Sequence, residues 1–479
     1  MNRAYRRAFR NGRRVLLVAA LAILASTNLL VASSARANRE AKQWIGTWAT
    51  APQAPVRGRV QTFRNQTLRL IVHTSVPGKK VRIRISNTFG KEPLITGSAH
   101  IARRATGADI DPTSDRNLMF DGRPSTTLPA GSMAVSESVA FDVPALSDLA
   151  ISLFLPESTK ATTSHILALQ TNYVSPDTGD STGAVNFPVA TTIASWPFLT
   201  GVEVTVSPRG ATIVALGSSL TDGDGSTKDA NRRWPDVLAE RLQKAGVPEV
   251  QLGVLNQGII GNRLLSDAQS PRQTGGPLAE VFEELGPALG ETGVRRFQRD
   301  VLDQPGVKYV ILAFGVNDIL FPGSFIADTE GVTAQAVIAG NRQLIALAHK
   351  KGIRAIGTTI PPFEHAIFRH PFFDHFYSPE KEKIRQEVNA WIRSSGKFDG
   401  VVDFDEAVHD PSHPTQLCPL TTAGIICMSM TQETSPRRMR FLLRCFTYVK
   451  TDSMRPSGLR FDDKCFDVHV VVLEEGGSE

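Results

Sequence analysis

Three short segments of this chain carry residues able to do chemistry, and each closes an apolar run. In the first, Thr212–Thr227 (TIVALGSSLTDGDGST), a strand-like stretch breaks into Gly217, Ser218 and Ser219. A serine on a tight strand-to-helix turn exposes its hydroxyl as a nucleophile. The neighbouring backbone N–H groups then point outward, where they can receive an oxyanion. In the second, Asn256–Asn262 (NQGIIGN), Gly258 and Gly261 let backbone N–H groups approach a ligand closely. In the third, Gly315–Asp318 (GVND), the Asn317 amide is a further oxyanion donor and Asp318 a cap for the next helix. Taken singly, each segment also has a plain structural explanation: a serine-capped turn, a tight loop, an Asn-Asp cap.

Other chemistries fit these residues poorly. No Gly-Lys-Ser/Thr follows the first strand, so it is not a phosphate-binding loop. Asp222, Asp224 and Ser226 have the opening spacing of a calcium loop. Thr227 stands where that loop needs glycine, however, and Arg233 where it needs glutamate. The histidines are scattered, and no metal site or cofactor is indicated.

The elements that must hold these residues alternate between strand and helix from about residue 209. Thr212–Leu216, VQLGVLN, VKYVILAFG, IRAIGTTI and GVVDFD read as buried strands. RWPDVLAERLQKAG, TAQAVIAGNRQLIALAHKKG and EKIRQEVNAWIRSS read as helices. This rhythm predicts an α/β domain, a parallel sheet flanked by helices, with its active site at the carboxyl ends of the strands. Residues 38–208 instead read as a β-sandwich-like domain. In TLRLIVHTSVPGKKVRIRIS, Val81, Ile83 and Ile85 are expected to face a core and Arg82 and Arg84 to face water.

Each of the three segments thus ends a strand of one sheet, and together they resemble the SGNH, or GDSL, hydrolase family. GSSL resembles its first block, with Ser218 where the family usually has aspartate. NQGIIGN resembles the second block and GVND the third. The resemblance spans roughly residues 209–417. It implies ester hydrolysis through an acyl-enzyme on Ser219. The implied oxyanion hole consists of the N–H groups of Ser219 and Gly261 and the Asn317 amide. The segment beginning WIGTWATAP looks like the N-terminal β domain of an exported bacterial subgroup.

A serine nucleophile needs a base and a carboxylate to orient it. In the family both come from an Asp-x-x-His block after the last strand. Here Asp410-Pro411-Ser412-His413 has that spacing, but it lies within a few residues of the strand in a proline-flanked loop. His409 and the histidines at 349, 365, 370 and 375 have no such partner.

Beyond Leu417 the composition changes. All four cysteines and four of the seven methionines fall in the last 62 residues. Codons compatible with Leu420–Thr434, read from the third base of codon 420, permit Tyr-Asp-Ser-Gly-Asp-His-Leu-His-Val-Asn-Asp-Ala-Gly-Asn, which resembles the missing block. The Asp encoded across Met430 and Thr431 is forced whichever codons are used. Residues 418–479 therefore read as an aberrant tail, out of frame after one base is lost near codon 418. A genuine C-terminus with disulfides is the alternative.

Residues 1–37 read as a signal peptide, with a basic n-region, an apolar run over residues 15–31 and Ala35-Arg36-Ala37 before the cut. Removing its seven arginines takes the formal charge from +6 to −1. The basic balance therefore gives no support to nucleic-acid binding. The expectation is an enzyme that is secreted or periplasmic, without stable membrane insertion after cleavage, acting on a small-molecule or polysaccharide ester. A non-catalytic relative that binds carbohydrate or acyl esters is the alternative. In a third reading the β domain tethers the chain to polysaccharide through exposed aromatics. Trp44, Trp48 and Trp196 are available for this, although core packing suits them better.

Overall fold

The computed structural model describes residues 43–245, 250–268, 283–327, 331–364 and 377–418, and the backbone of 427–435 and 438–446. Residues 1–37 and the histidines at 365, 370 and 375 lie outside the described residues.

Residues 43–206 are built from strands. One antiparallel sheet runs Gln43–Ala49, Leu199–Val206, Gly78–Ser86, Val139–Val143, with Met133–Val135 also paired to Gly78–Ser86. The other has six strands and centres on Gln66–His73 and Asp148–Leu155. Alternation decides which side chains go inside. Leu68, Leu70 and Val72 from the second sheet join Val81, Ile83 and Ile85 from the first in one fully buried cluster. The two sheets thus share a core in the manner of a sandwich. Pro77-Gly78 carries the chain from one sheet to the other, because the strands on either side of it do not pair.

Arg84 departs from the expectation of a water-facing residue. It is 7 % exposed, its guanidinium meets the Glu203 carboxylate at 2.5 Å, and it donates to the Gln304 side chain at 3.2 Å. The outer face of this sheet is covered by the α/β domain, so a second wall replaces solvent there. A strand alternates in the same way whether its polar side meets water or another domain.

The α/β domain contains five parallel strands: β1 Ala211–Gly217, β2 Leu252–Gly258, β3 Val307–Ala313, β4 Arg354–Thr358 and β5 Gly400–Val402, in the spatial order β2-β1-β3-β4-β5. All seven β1 residues are buried, as a central strand covered on both faces requires. Its helices are α1 Ser219–Asp222, α2 Trp234–Ala245, α3 Gly293–Phe297, α4 Val316–Leu320, α5 Ala334–Lys350, α6 Pro379–Ser394 and α7 Phe404–Val408. Val214, Leu216, Val310 and Leu312 share a core with α5 and α6 on one face. Ala211, Ile213 and Ala215 pack with Trp234 and Leu238 of α2 and Phe404 of α7 on the other. Side chains at the N-caps fix where helices start: Thr333 accepts from Ala336 N, and Ser378 accepts from Lys381 N.

The two parts are stitched together through backbone groups. Gly46 N donates to Thr212 Oγ1 at 3.1 Å, Val254 N to Ser75 Oγ at 3.0 Å, and the Gln53 amide to Ala288 O. Past α7, His409–Asp410 pairs with His413–Leu417, and Cys427–Ser435 pairs antiparallel with Arg438–Phe446. Among the described residues no helix follows α7. None of the described helices is long and apolar enough to cross a membrane.

Candidate active site

The strand register brings the three expected segments to one edge. Gly217 at the end of β1 pairs with Gly258 on β2 and with Ala313 on β3. Neighbouring strands lie about 4.8 Å apart. Ser219 comes two residues beyond this level, Gly261 three and Asn317 four, so all three leave the sheet side by side.

Ser219 opens α1, a single turn closed by Gly223 in the left-handed region at φ 104°. The turn is so tight that both Thr221 N and Asp222 N donate to Ser218 O, at 3.0 and 2.9 Å. Ser218, in the position the family usually gives to aspartate, is 2 % exposed, and its hydroxyl makes no cap hydrogen bond. Ser219 is partly exposed. Among the described residues no acceptor takes its N–H.

Gly258 and Gly261 explain themselves by geometry. A β-carbon on Gly258 would stand 2.1 Å from Asp222 N, so the second loop could not lie against α1. Gly261 adopts φ +69°, and a β-carbon there would meet Leu289 Cδ2 at 2.6 Å. Among the described residues the Gly261 N–H has no acceptor either. Asn317 donates one amide hydrogen to Asn262 O at 2.9 Å. An amide carries two hydrogens, so the other stays available.

A set of buried polar side chains locks these loops. Asn256 donates to Thr221 O at 2.7 Å and accepts from Gly258 N at 2.9 Å. Asp222 accepts from Ile260 N at 2.7 Å. Asp318 accepts from Leu264 N and Leu265 N at 2.8 and 3.0 Å. Burial pushes the Asp318 carboxyl above its ordinary range, and these two N–H groups offset only part of that.

Arg296, fully buried on α3, donates to Gly217 O, Gln257 O and the Asn262 side chain, all at 2.8–2.9 Å. Its counter-ion is Asp300 at 2.9 Å. Burial works against the Asp300 charge, but Arg299 and Arg296 outweigh it and hold the carboxyl below its usual range. Asp318 was expected to cap α4, but Gly315 holds that position and the carboxylate turns to the second loop instead. The role of Arg296 escaped the sequence reading. Arg296 sits among four other arginine or aspartate residues between 295 and 303, with nothing in the pattern to mark it as the one turned inward.

His165 was also missed. It comes from the β domain, where it bonds Ala51 O through Nδ1 and Asp222 Oδ1 through Nε2, each at 2.9 Å. Both groups are nearly inaccessible. Both ring nitrogens are engaged by these buried partners, so neither is free to serve Ser219. The pair instead ties the sandwich to the turn at Ser219.

The side of the site expected to hold the base looks different. Asp410 and His413 do meet, His413 Nδ1 lying 3.4 Å from Asp410 Oδ2, but the His413 side chain is 64 % exposed. They sit in a small ladder whose Gln416 bridges Glu364 beyond β4. That places them beside the β4–β5 end of the sheet, whereas Ser219 follows β1, with β3 between β1 and β4. A narrow cleft runs from Ser218 past Ala313 and Ile360 to Phe404, and none of the described residues lining it is a histidine. His409 Nδ1 bonds Asp405 O, and His349 Nε2 bonds Asp399 on the opposite, amino side of the sheet.

Residues 213–429 match the family model of the GDSL-like lipases and acylhydrolases. The α/β part of this chain is therefore a GDSL-like lipase/acylhydrolase domain, of the serine-hydrolase class. Among solved structures, the chain is similar to an aryl esterase from M. smegmatis, with 17 % identity over 45 % of this chain and 94 % of that one and a TM-score of 0.30. It is also similar to a carbohydrate acetylesterase from Sinorhizobium meliloti (14 %, 44 % and 93 %, TM-score 0.32). A GDSL-like lipase from Bacteroides thetaiotaomicron is a third (17 %, 45 % and 78 %, TM-score 0.28). No curated protein matches the sequence.

Proposed function

We propose that this chain is built as an exported carboxylester hydrolase whose oxyanion half is complete and whose general base is missing from the recorded sequence. Ser219 Oγ attacks the ester carbonyl. The oxygen that becomes negative is received by the N–H groups of Ser219 and Gly261 and by the free Asn317 amide hydrogen. Each such donor contributes about 10²–10³ in rate. The observation that carries this reading is the common level of Gly217, Gly258 and Ala313, with two N–H groups left without acceptors above it.

The acyl-enzyme then needs a base to activate water, and Asp410–His413, with its imidazole exposed and outside the cleft at Ser218, does not serve. The loss of one base near codon 418 accounts for this and for the clustered cysteines together. The corrected frame permits an Asp-x-x-His block after the ladder at 409–417. Export through the signal at residues 1–37, with cleavage after Ala37, is part of the same proposal.

The second reading, a binding-only relative, is favoured by the occupied nitrogens of His165 and by the exposure of His413. Sequencing the gene across codons 410–435, with p-nitrophenyl acetate hydrolysis measured beside Ser219→Ala, decides between the two. A missing base and Ser219-dependent turnover support the esterase. A confirmed frame with turnover indifferent to Ser219→Ala sinks the nucleophile assignment.

A further inference from the structure

A cavity far larger than the cleft at Ser218 lies elsewhere. It is a groove of about 850 Å³ on the β domain, within the range of small-molecule sites, roughly 300–1,000 Å³. Three loops form it: 54–60, 87–95 and 157–162. Its floor is apolar, with Phe198 and Leu94 buried and Phe89 part-exposed beside them, the Arg299 guanidinium 5.7 Å from the Phe89 ring. Its rim carries Arg57, Lys91 and Lys160 together with Glu92 and Glu157. All five are exposed, and among the described residues none forms an ion pair.

The groove is joined to the candidate active site by one turn. Pro287 lines the groove. The next residue, Ala288, accepts from Gln53, and Leu289 packs against Gly261 while its carbonyl accepts the Asn262 amide. The turn Gly286–Leu289 therefore has one end in the groove and the other under the loop that presents the Gly261 N–H.

We propose that this groove is a carbohydrate subsite, holding the non-reacting chain of an acylated oligosaccharide. The ligand class follows from the lining. An acyl chain would bury against five charged heads that it cannot satisfy. A phosphate or other anion would face Glu92 and Glu157. A sugar chain presents hydroxyls that both donate and accept, matching cations and carboxylates side by side, and an apolar C–H face that matches the part-exposed Phe89. The proposal deepens the esterase reading by naming the substrate class. Binding in the groove nevertheless does not need Ser219 or a base.

The test is titration of the full chain with xylohexaose, cellohexaose and chitohexaose by calorimetry. Laurate and inorganic phosphate serve as competing chemistries. Saturable binding of at least one oligosaccharide is expected, unchanged in Ser219→Ala. It should be at least tenfold weaker in Lys91→Ala/Glu157→Ala, whose side chains are exposed and unpaired, so folding is not at stake. Phe89→Ala should weaken it similarly. No saturable binding of any of the three up to millimolar concentration overturns the proposal. So does binding untouched by the rim variant, or a preference for laurate or phosphate. Failure here with Ser219-dependent esterase activity intact removes the subsite and leaves the enzyme. Binding without turnover does the reverse.

Discussion

The two sides of the candidate site are built to different standards. On the side of β1, β2 and β3, Ser219, Gly261 and Asn317 are fixed by half-buried Asn256 and by buried Asp222, Asn262, Asp318 and Arg296, each bonded to a neighbouring loop or helix. On the side of β5, the only Asp-x-x-His of the recorded chain is one 3.4 Å contact with an exposed imidazole. Electrostatic stabilisation needs donors held in place before charge develops. Proton transfer needs a base within hydrogen-bond reach of the nucleophile. Among the described residues the N–H groups of Ser219 and Gly261 are held open, and no histidine lines the cleft at Ser218. A chain assembled for binding alone has no reason to leave the N–H groups of Ser219 and Gly261 open beside a serine at a strand end. The difference therefore points to loss on one side of a hydrolase.

The largest effect that can break this comparison comes from the nucleophile itself. In a gene with one base restored near codon 418, Ser219→Ala should lower kcat by about six orders of magnitude, leaving only what the oxyanion hole and binding supply. A variant that keeps even a hundredth of the activity would show that another group attacks the ester.

Next comes the clamp behind the oxyanion loops. Arg296→Met leaves buried Asp300 with Arg299 alone and loses three loop contacts, at a cost of about 2–4 kcal/mol in urea unfolding. A loss below about 1 kcal/mol would mean that the loops hold themselves. Asn317→Ala, also in the restored chain, should reduce kcat about 10²–10³-fold with KM little changed, since the amide acts where charge develops. A change confined to KM would assign Asn317 to ground-state binding instead.

The acid dependence of stability sharpens the same contrast. The Asp300 carboxyl is held low in the folded state by Arg299 and Arg296. Its contribution is therefore fully present above the unfolded carboxyl pKa and is lost as pH falls through the folded value. Asp318, pushed up by burial, acts with the opposite sign and costs stability as pH rises from the unfolded value through its raised folded one. Urea midpoints measured from pH 3 to pH 7 should show a shallower acid limb in Asp300→Asn than in the parent. An equally steep limb would place the acid sensitivity elsewhere. The smallest effect belongs to the base side. His413→Ala in the recorded chain should change residual ester hydrolysis by less than about twofold, because an exposed imidazole with one long contact positions nothing. A fall to the Ser219→Ala level would make Asp410–His413 the working dyad and erase the asymmetry.

Much of the site could be read from the sequence because it depends on residue types with few uses. A serine, a glycine and an asparagine after three apolar strands say where the chain turns and what faces outward. Register then follows from a parallel sheet whose strands end at one level. The parts that could not be read are those where one residue type serves two ends. Arg296 and Arg295 are neighbours of the same type, one fully buried and one mostly exposed, and only packing tells them apart. Arg84 alternates like a solvent-facing residue but meets a second domain. His165 lies 57 residues from the aspartate it pairs with, in the other domain. Two of the three tryptophans fared better, while Trp44 is only half-buried, with the Arg82 guanidinium 4.2 Å from its ring. Trp48 and Trp196 are buried and stack edge to face at 5.0 Å, which disposes of them as a polysaccharide platform.

The most direct test compares kcat/KM on one soluble ester for the recorded chain and for the chain with a single base restored between codons 418 and 420. A rise of about four orders of magnitude or more is expected, because the restored block supplies the base to an oxyanion half already in place. Equal rates in the two chains would contradict the account: either this protein needs no such base, or the geometry around Ser219 is not a catalytic one.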